Sequence, residues 1–189
     1  MESEKENFET NIEITDASPE DVVGMREVYY KSWLETYPNE EYGITKDDIE
    51  DKFKVSSTAE SIKKRAENIE SLPESEKMFI AKDGNRIVGV CRVLRRPDKN
   101  QLQAIYVLPE YQEQGIGKKF WAKAQDFFDN EKDTIVQVAT YNTNAIEFYK
   151  KLGFEDTGKR FEEERHRMKS GSIIPEMEMA IKAKRDKNV

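Results

Sequence analysis

A mixed α/β sheet of six or seven strands with helices on both faces is the fold this sequence predicts, and three observations predict it. Segments of period two and of helical period follow one another in the order β-α-α-β-β-β-α-β-α-β-β, with no internal repeat and no Gly/Ser linker. Two β runs, residues 78–81 and 86–94, are joined through Asp83-Gly84-Asn85, a strong hairpin signal. Residues 102–140 read as strand, glycine turn, helix, strand, which is the makings of a right-handed parallel crossover.

Taken in order, residues 1–10 form an acidic stretch without an apolar segment, expected to be a mobile tail and not a signal peptide. Ile12 and Ile14 flank Glu13 in a first strand. Ser18-Pro19-Glu20-Asp21 has the chemistry of a helix start, with a capping serine, proline at the first position and acids in the first turn. That helix is expected to reach about Thr36, with Val22, Met25, Val28 or Tyr29, and Trp33 on its buried side. Tyr37-Pro38-Asn39 and Gly43 break it. Residues 46–70 read as a surface helix pair interrupted near Ser56-Ser57, because their apolar positions (Ile49, Phe53, Ile62, Ala66, Ile69) are sparse.

Residues 102–108 alternate as a strand that Pro109 ends. Gly115-Ile116-Gly117 then opens a helix whose apolar stripe is Ile116, Phe120, Ala124 and Phe127. Residues 134–140 form the next strand, and residues 144–152 a short helix stopped by Gly153. The last two strands are expected at residues 154–161 and 173–181, with 162–171 a charged loop or hairpin end and 182–189 a basic tail. The whole suits one domain over residues 11–182.

Composition narrows the function. At 189 residues, with 37% hydrophobic and 37% charged residues, the chain fits a soluble protein with a heavily charged surface. No apolar run approaches the roughly 20 residues of a membrane span. The net charge of −7 argues against general nucleic-acid binding. The single cysteine, Cys91, forms no internal disulfide and fits a reducing cytoplasm, and with one histidine a zinc site is not expected.

Two constellations carry chemistry. In the first, Gln112-x-x-Gly115-x-Gly117 follows a strand and opens a helix, so unpaired N–H groups of about residues 113–118 can cradle an anion. A dinucleotide fingerprint would need glycine at Phe120, and a P-loop would need Ser or Thr at Lys119. Lys118, Lys119 and Lys123 add positive charge beside the turn. In the second, Asn142 and Tyr149 stand seven residues apart, two helical turns, with Ala145, Phe148 and Leu152 as the buried stripe.

Together, IYVLPEYQEQGIGKK and NTNAIEFYKKLGF resemble the acetyl-CoA-binding strand–turn–helix and the following helix of the GNAT superfamily of N-acetyltransferases. YYKSWLETY is similar to the first helix and loop of many bacterial members. The resemblance implies a GNAT-like fold with a splayed acyl-CoA cleft. It also implies transfer of an acetyl group from acetyl-CoA directly to a primary amine of a small molecule or protein, with no metal. Ile105, Tyr106 and Val107 would pair with the pantetheine arm. Gln112, Glu113, Gln114, Gly115, Ile116, Gly117 and Lys118 would take the pyrophosphate, Asn142 would contact the cofactor, and Tyr149 would protonate the departing thiolate. A thiolate near pKa 8.5 and a tyrosine near 10 are close enough for such help. Partners would be acetyl-CoA and the amine, with the protein a monomer or homodimer in the cytoplasm.

The acceptor half is less legible. Gln101 and Gln137 stand where relatives carry a glutamate base, which leaves an acid such as Glu35, a water chain, or no base at all. It also leaves open a non-catalytic acyl-CoA-binding module on the same fold. Cys91 reads as core and His166 as a solvated loop residue. Trp33 and Tyr37 would line the acceptor cleft, or Trp33 packs in the core. The acids Glu35, Glu40, Glu41, Asp47 and Asp48 would attract a cationic amine, or merely solvate the helix pair.

Overall fold

The computed structural model describes residues 11–183, so the expected tail at 1–10 and nearly all of the basic tail lie outside the described residues. One seven-stranded sheet organises them, in the order β1-β2-β3-β4-β5-β7-β6. Its strands are β1 (Ile12–Asp16), β2 (Glu76–Asp83), β3 (Arg86–Arg95), β4 (Asn100–Val107), β5 (Thr134–Ala139), β6 (Glu155–Arg167) and β7 (Ile173–Ile181). The helices are α1 (Val22–Thr36), α2 (Lys46–Lys54), α3 (Ala59–Glu70), α4 (Ile116–Phe127) and α5 (Thr143–Lys151). The expected hairpin joins β2 to β3, and β4 to β5 is the one parallel pair.

That parallel pair is short. Only Asn100, Gln101 and Leu102 are matched to Thr134, Ile135 and Val136. Just beyond, the β3–β4 ladder skips a residue: Arg92 pairs with Ala104 and Val93 with Leu102, leaving Gln103 unmatched. A bulge bends and twists the strand that carries it, and here it turns β4 away from β5. The sheet therefore opens between the C-terminal half of β4 and β5.

Strand alternation assigns the layers. Tyr106 meets Tyr29 of α1 edge-on, with ring centroids 5.3 Å apart. Gly89, paired with Val107, faces the Phe120 ring of α4 on the other side. So α1, α2 and α3 cover one face, and α4 with α5 the other. The larger core cluster runs from Met25 and Val28 through the sheet to Phe120 and Phe154, all buried. The start of α1 is tied down as its chemistry predicts: Ser18 donates from its N–H and Oγ to the Asp21 carboxylate, at 2.8 and 2.6 Å.

Three expectations need correction. The charged stretch 162–171 is mostly strand, because β6 continues to Arg167 along β7. It is an edge strand exposed along most of its length, so it carries no apolar alternation to betray it. The helix pair is not wholly superficial: α2 buries Ile49 completely in a second cluster with Ile44, Ala139, Met168 and Ile174, whereas α3 buries nothing. And Trp33 is only half-buried, packed on that second cluster, while Ser32 is the fully buried residue near the end of α1.

Cys91 is fully buried in β3, and burial pushes its thiol well above the ordinary range. A group whose proton is held more tightly in the folded state stabilises below its unfolded pKa and loses that contribution as pH rises. Above about pH 8.5 the unfolded thiol ionises while the folded one does not. Stability should then fall by up to about 1.4 kcal/mol per pH unit. Urea titrations at pH 8, 9 and 10 should show this slope in the wild type and a flatter one in Cys91→Ala. An identical slope in the variant refutes the assignment.

Candidate active site

The open edge of β4 is the first part of the site. Leu108 donates its N–H to the Val88 carbonyl at 2.9 Å, so it faces β3. By alternation, the N–H and C=O groups of Val107 and Ile105 point the other way, into the opening beside β5. The Val107 carbonyl accepts from Gln112 Nε2 at 3.1 Å and from Ser32 Oγ at 3.3 Å. Neither contact occupies the Val107 N–H.

After β4, a 3-10 turn at Pro109–Tyr111 leads into a segment with two left-handed residues, Glu113 (φ 63°) and Gly115 (φ 80°). Glu113 is the only described non-glycine residue with positive φ, a conformation costing roughly 1–2 kcal/mol. Left-handed residues in such a turn gather successive N–H groups into an anion-binding concavity, and the unpaired N–H groups at the start of α4 extend it. The two glycines serve different ends. Gly115 supplies the conformation, with open space where a Cβ would be; a Cβ on Gly117 would sit 2.9 Å from the Phe148 ring. Gly117 thus lets α5 dock on α4. Ile116 is buried and Lys118 exposed. Lys119 is committed elsewhere, its Nζ reaching the Ile12 carbonyl at 3.1 Å. Gln114 Nε2 donates to the Glu110 carbonyl at 3.1 Å.

Asn142 caps α5, its Oδ1 accepting from Ala145 N–H at 3.1 Å. Tyr149 is buried, with edge-on contacts to Phe148 and Phe154. Burial, and secondarily Tyr106, push its phenol far above the ordinary range. The Tyr149 hydroxyl is without a hydrogen-bond partner among the described residues, where the one fully enclosed side-chain polar atom lacking a partner is Thr15 Oγ1.

On the opposite face lies a cavity of about 410 Å³ beneath α1, α2 and α3. Trp33, Tyr37 and Tyr106 line it, and Tyr37 and Tyr106 join hydroxyls at 2.8 Å. So Trp33 and Tyr37 share one cavity, and Tyr106 sends its side chain there while its backbone stays in β4. Glu35 is exposed and outside the cavity: two residues beyond Trp33, it is turned about 200° around the helix. Glu40, Glu41 and Asp47 are exposed too, and Asp48 is buried under hydrogen bonds from Thr45 and Ser170. None of these acids lines the cavity.

The residues that sequence reasoning missed are His166 and Glu176. Both line the cavity, and His166 Nδ1 lies 2.9 Å from Glu176 Oε2. An ionised carboxylate only accepts, so in a neutral imidazole facing one the proton sits on Nδ1 and the lone pair on Nε2. The imidazole also sits edge-on to Trp33, 6.3 Å between centroids. The signal lay in β7, where Glu176 and Glu178 interrupt an otherwise apolar run, both buried. Gln137 lines the same cavity, held between Glu163 and Arg165. Gln101 is engaged by Arg96. Among the described residues no group of three or more His, Cys, Asp or Glu is placed to hold a metal, and no helix is long and apolar enough to cross a membrane.

Known proteins share this architecture. Residues 34–170 match the family model described as an acetyltransferase (GNAT) domain. A probable N-acetyltransferase of Mycobacterium tuberculosis is 32% identical over 100 residues, covering 49% of this chain and 57% of that protein. An uncharacterised N-acetyltransferase of Methanocaldococcus jannaschii is 34% identical over 80 residues, covering 41% and 34%. The chain thus spans less than two thirds of either relative. The PaiA N-acetyltransferase of Thermoplasma acidophilum, solved in complex with coenzyme A, superposes with a TM-score of 0.64 at 24% identity, over 88% of this chain and 97% of its own. A GNAT-family acetyltransferase of Streptococcus pneumoniae gives 0.65 at 19%, over 90% and 99%. With the family model covering well over half of the chain and the opened sheet shared with these structures, the chain belongs to the GNAT acetyltransferase family.

Proposed function

We propose that this protein is an N-acetyltransferase that moves the acetyl group of acetyl-CoA directly onto a primary amine in a ternary complex. The observation that carries this reading is the opening between β4 and β5, with an N–H cradle beyond the end of β4 and a polar cavity on the far face. Bound acetyl-CoA would supply an activated thioester and a thiolate leaving group. The cradle from Gln112 to Lys118 suits a pyrophosphate, because Gly115 leaves the approach open and Glu113 is held in a conformation that little else explains. Asn142 lies at the head of α5 beside this groove.

The chain's own residues then have separable tasks. Ile105 and Val107 offer backbone polar groups along the open edge, where an amide-bearing arm can pair. The Val107 N–H is oriented to meet negative charge developing on an acyl oxygen. Nε2 of His166 accepts the proton from the attacking ammonium or amine, while Glu176 holds Nδ1–H and balances the imidazolium. Tyr149 keeps its proton at all working pH values and offers it to the departing sulfur. Burial raises the proton affinity of a thiolate as it does of a phenolate, so the shared environment does not bias transfer against the sulfur. Cys91 is sealed in the core, consistent with direct transfer and no acyl-cysteine.

Acetyl-CoA at a hundred times its Kd should stabilise the protein by about 2.7 kcal/mol, raising Tm by several degrees. Gly115→Ala should weaken that binding roughly tenfold, because a Cβ opposes the left-handed cradle. Thiol release over an amine panel is the deciding assay. Binding without release from any amine would return the non-catalytic acyl-CoA module; no thermal shift at millimolar acetyl-CoA would sink both.

A further inference from the structure

The acceptor cavity is cationic in an acidic protein. Its lining carries five basic side chains, Arg26, Lys52, Arg65, Arg92 and Arg165, against two carboxylates, Glu76 and Glu176. Arg92 is paired with Glu76 at 2.6 Å and Arg165 with Glu163, while Glu176 is engaged by His166. Arg26, Lys52 and Arg65 have no carboxylate partner among the described residues. In a chain of net charge −7, acids to neutralise them were abundant.

Arg26 is the best placed of the three. It is half-buried, and its guanidinium is fixed from behind: Nε donates to Ser56 Oγ at 3.1 Å and Nη2 to the Phe53 carbonyl at 3.2 Å. Two of its five N–H groups are used, and the rest are preorganised for a planar anion. Across from it, α3 buries none of its residues, yet turns Arg65 and Asn68, one turn apart, onto the cavity. The helix rests on the main core through Ile69 and presents a cation and an amide to the cavity, as a roof over a ligand would.

The cavity also has two ends. His166 and Glu176 lie beside Trp33, seven residues along α1 from Arg26, a rise of roughly 10 Å. Trp33, Phe53 and Tyr29 form an aromatic wall between. Resting on the N-acetyltransferase reading above, we propose that the acceptor is bipolar: a primary amine delivered to His166 and a carboxylate held by Arg26 and Arg65, separated by a chain of several bonds. An ω-amino acid or a short peptide has this chemistry; a polyamine or a simple alkylamine does not. The expectation that surface acids draw a cationic acceptor is thereby reversed.

Matched acceptors of equal length test it. kcat/KM for 6-aminohexanoate should exceed that for hexylamine at least tenfold, as for a charge-assisted contact, with 1,6-diaminohexane poorest. Arg65→Glu, on an exposed helix position, should bring the acid-to-diamine ratio down by more than tenfold. A tripeptide and 6-aminohexanoate as separate arms distinguish the two sources of the carboxylate. Binding is read independently by calorimetry with 6-acetamidohexanoate, against wild type, Arg26→Gln and Arg65→Glu. A diamine preference, or a wild-type preference and affinity that Arg65→Glu leaves unchanged, overturns the proposal even if hexylamine is acetylated. Carboxylate binding lost in the variants, with no thiol release from any amine, would keep the carboxylate site and remove the transferase reading instead.

Discussion

His166→Ala is expected to lower kcat for a strongly basic amine by roughly 10²- to 10⁴-fold, the range for loss of a positioned general base. The ring also packs edge-on to Trp33, so part of any loss in that variant is steric. Glu176→Gln separates the two effects. It keeps the size and position of the side chain, but an amide can donate to Nδ1, which moves the ring proton to Nε2 and removes the lone pair from the cavity. The glutamine variant should therefore lose nearly as much as the alanine variant, and the double variant little more than either. The acceptor supplies a further control. A nucleophile of low pKa, such as a hydrazine, is already deprotonated near neutral pH, so its acetylation should suffer much less in both variants. Equal losses with basic and weakly basic acceptors would reduce the His166–Glu176 pair to architecture; near-normal turnover of the basic amine would remove it from the mechanism.

Why this pair escaped sequence reasoning while the strand–turn–helix of β4 and α4 did not is a matter of chain distance. That unit is written locally: strand, Pro109, Gly115, helix, with Asn142 and Tyr149 two turns apart on the next helix. Each feature has a local physical signature, so the strand–turn–helix and the parallel β4–β5 pairing follow from short-range rules. The cavity on the far face is assembled from α1, α2, α3 and six strands, bringing Arg26 and Glu176 together across most of the chain. No periodicity announces that. β6 hid for a related reason: as an exposed edge strand it needs no apolar face, so His166 read as a loop residue when it lies within β6, in the irregular stretch between the Glu162 and Arg167 pairings with β7. Glu35 failed for the opposite reason. Proximity in sequence to Trp33 suggested a shared site, but 100° per residue turns it out of the cavity.

The bulge at Gln103 links the two halves. It diverts β4 from β5 only after three paired residues, which leaves Ile105 and Val107 with an open edge. The same strand sends Tyr106 into the cavity on the far face, where its hydroxyl meets that of Tyr37. One strand therefore presents backbone to the opening beside β5 and a side chain to the cavity on the far face, and the alternation of a β-strand is what allows both.

Tyr149→Phe tests the donor half by the same logic of subtraction. The hydroxyl has no hydrogen-bond partner among the described residues, so removing it breaks no contact within the fold. The ring remains packed against Phe148 and Phe154. Thermal stability near neutral pH should be unchanged within about 0.5 kcal/mol. At alkaline pH the variant should do better than the wild type. The wild-type phenol is held neutral by burial, so above about pH 10 its unfolded form ionises first and stability drains away as pH rises. Phenylalanine lacks that slope. Against this benign background, kcat should fall roughly 10²-fold while Kd for CoA moves little, because a proton delivered to the departing sulfur matters in the transition state and not in the bound ground state. Replacing the thioester with an acyl donor whose leaving group is more acidic should recover much of the loss, since such a group departs unprotonated. A variant that turns over normally, or that the better leaving group fails to rescue, would leave Tyr149 as a packing residue.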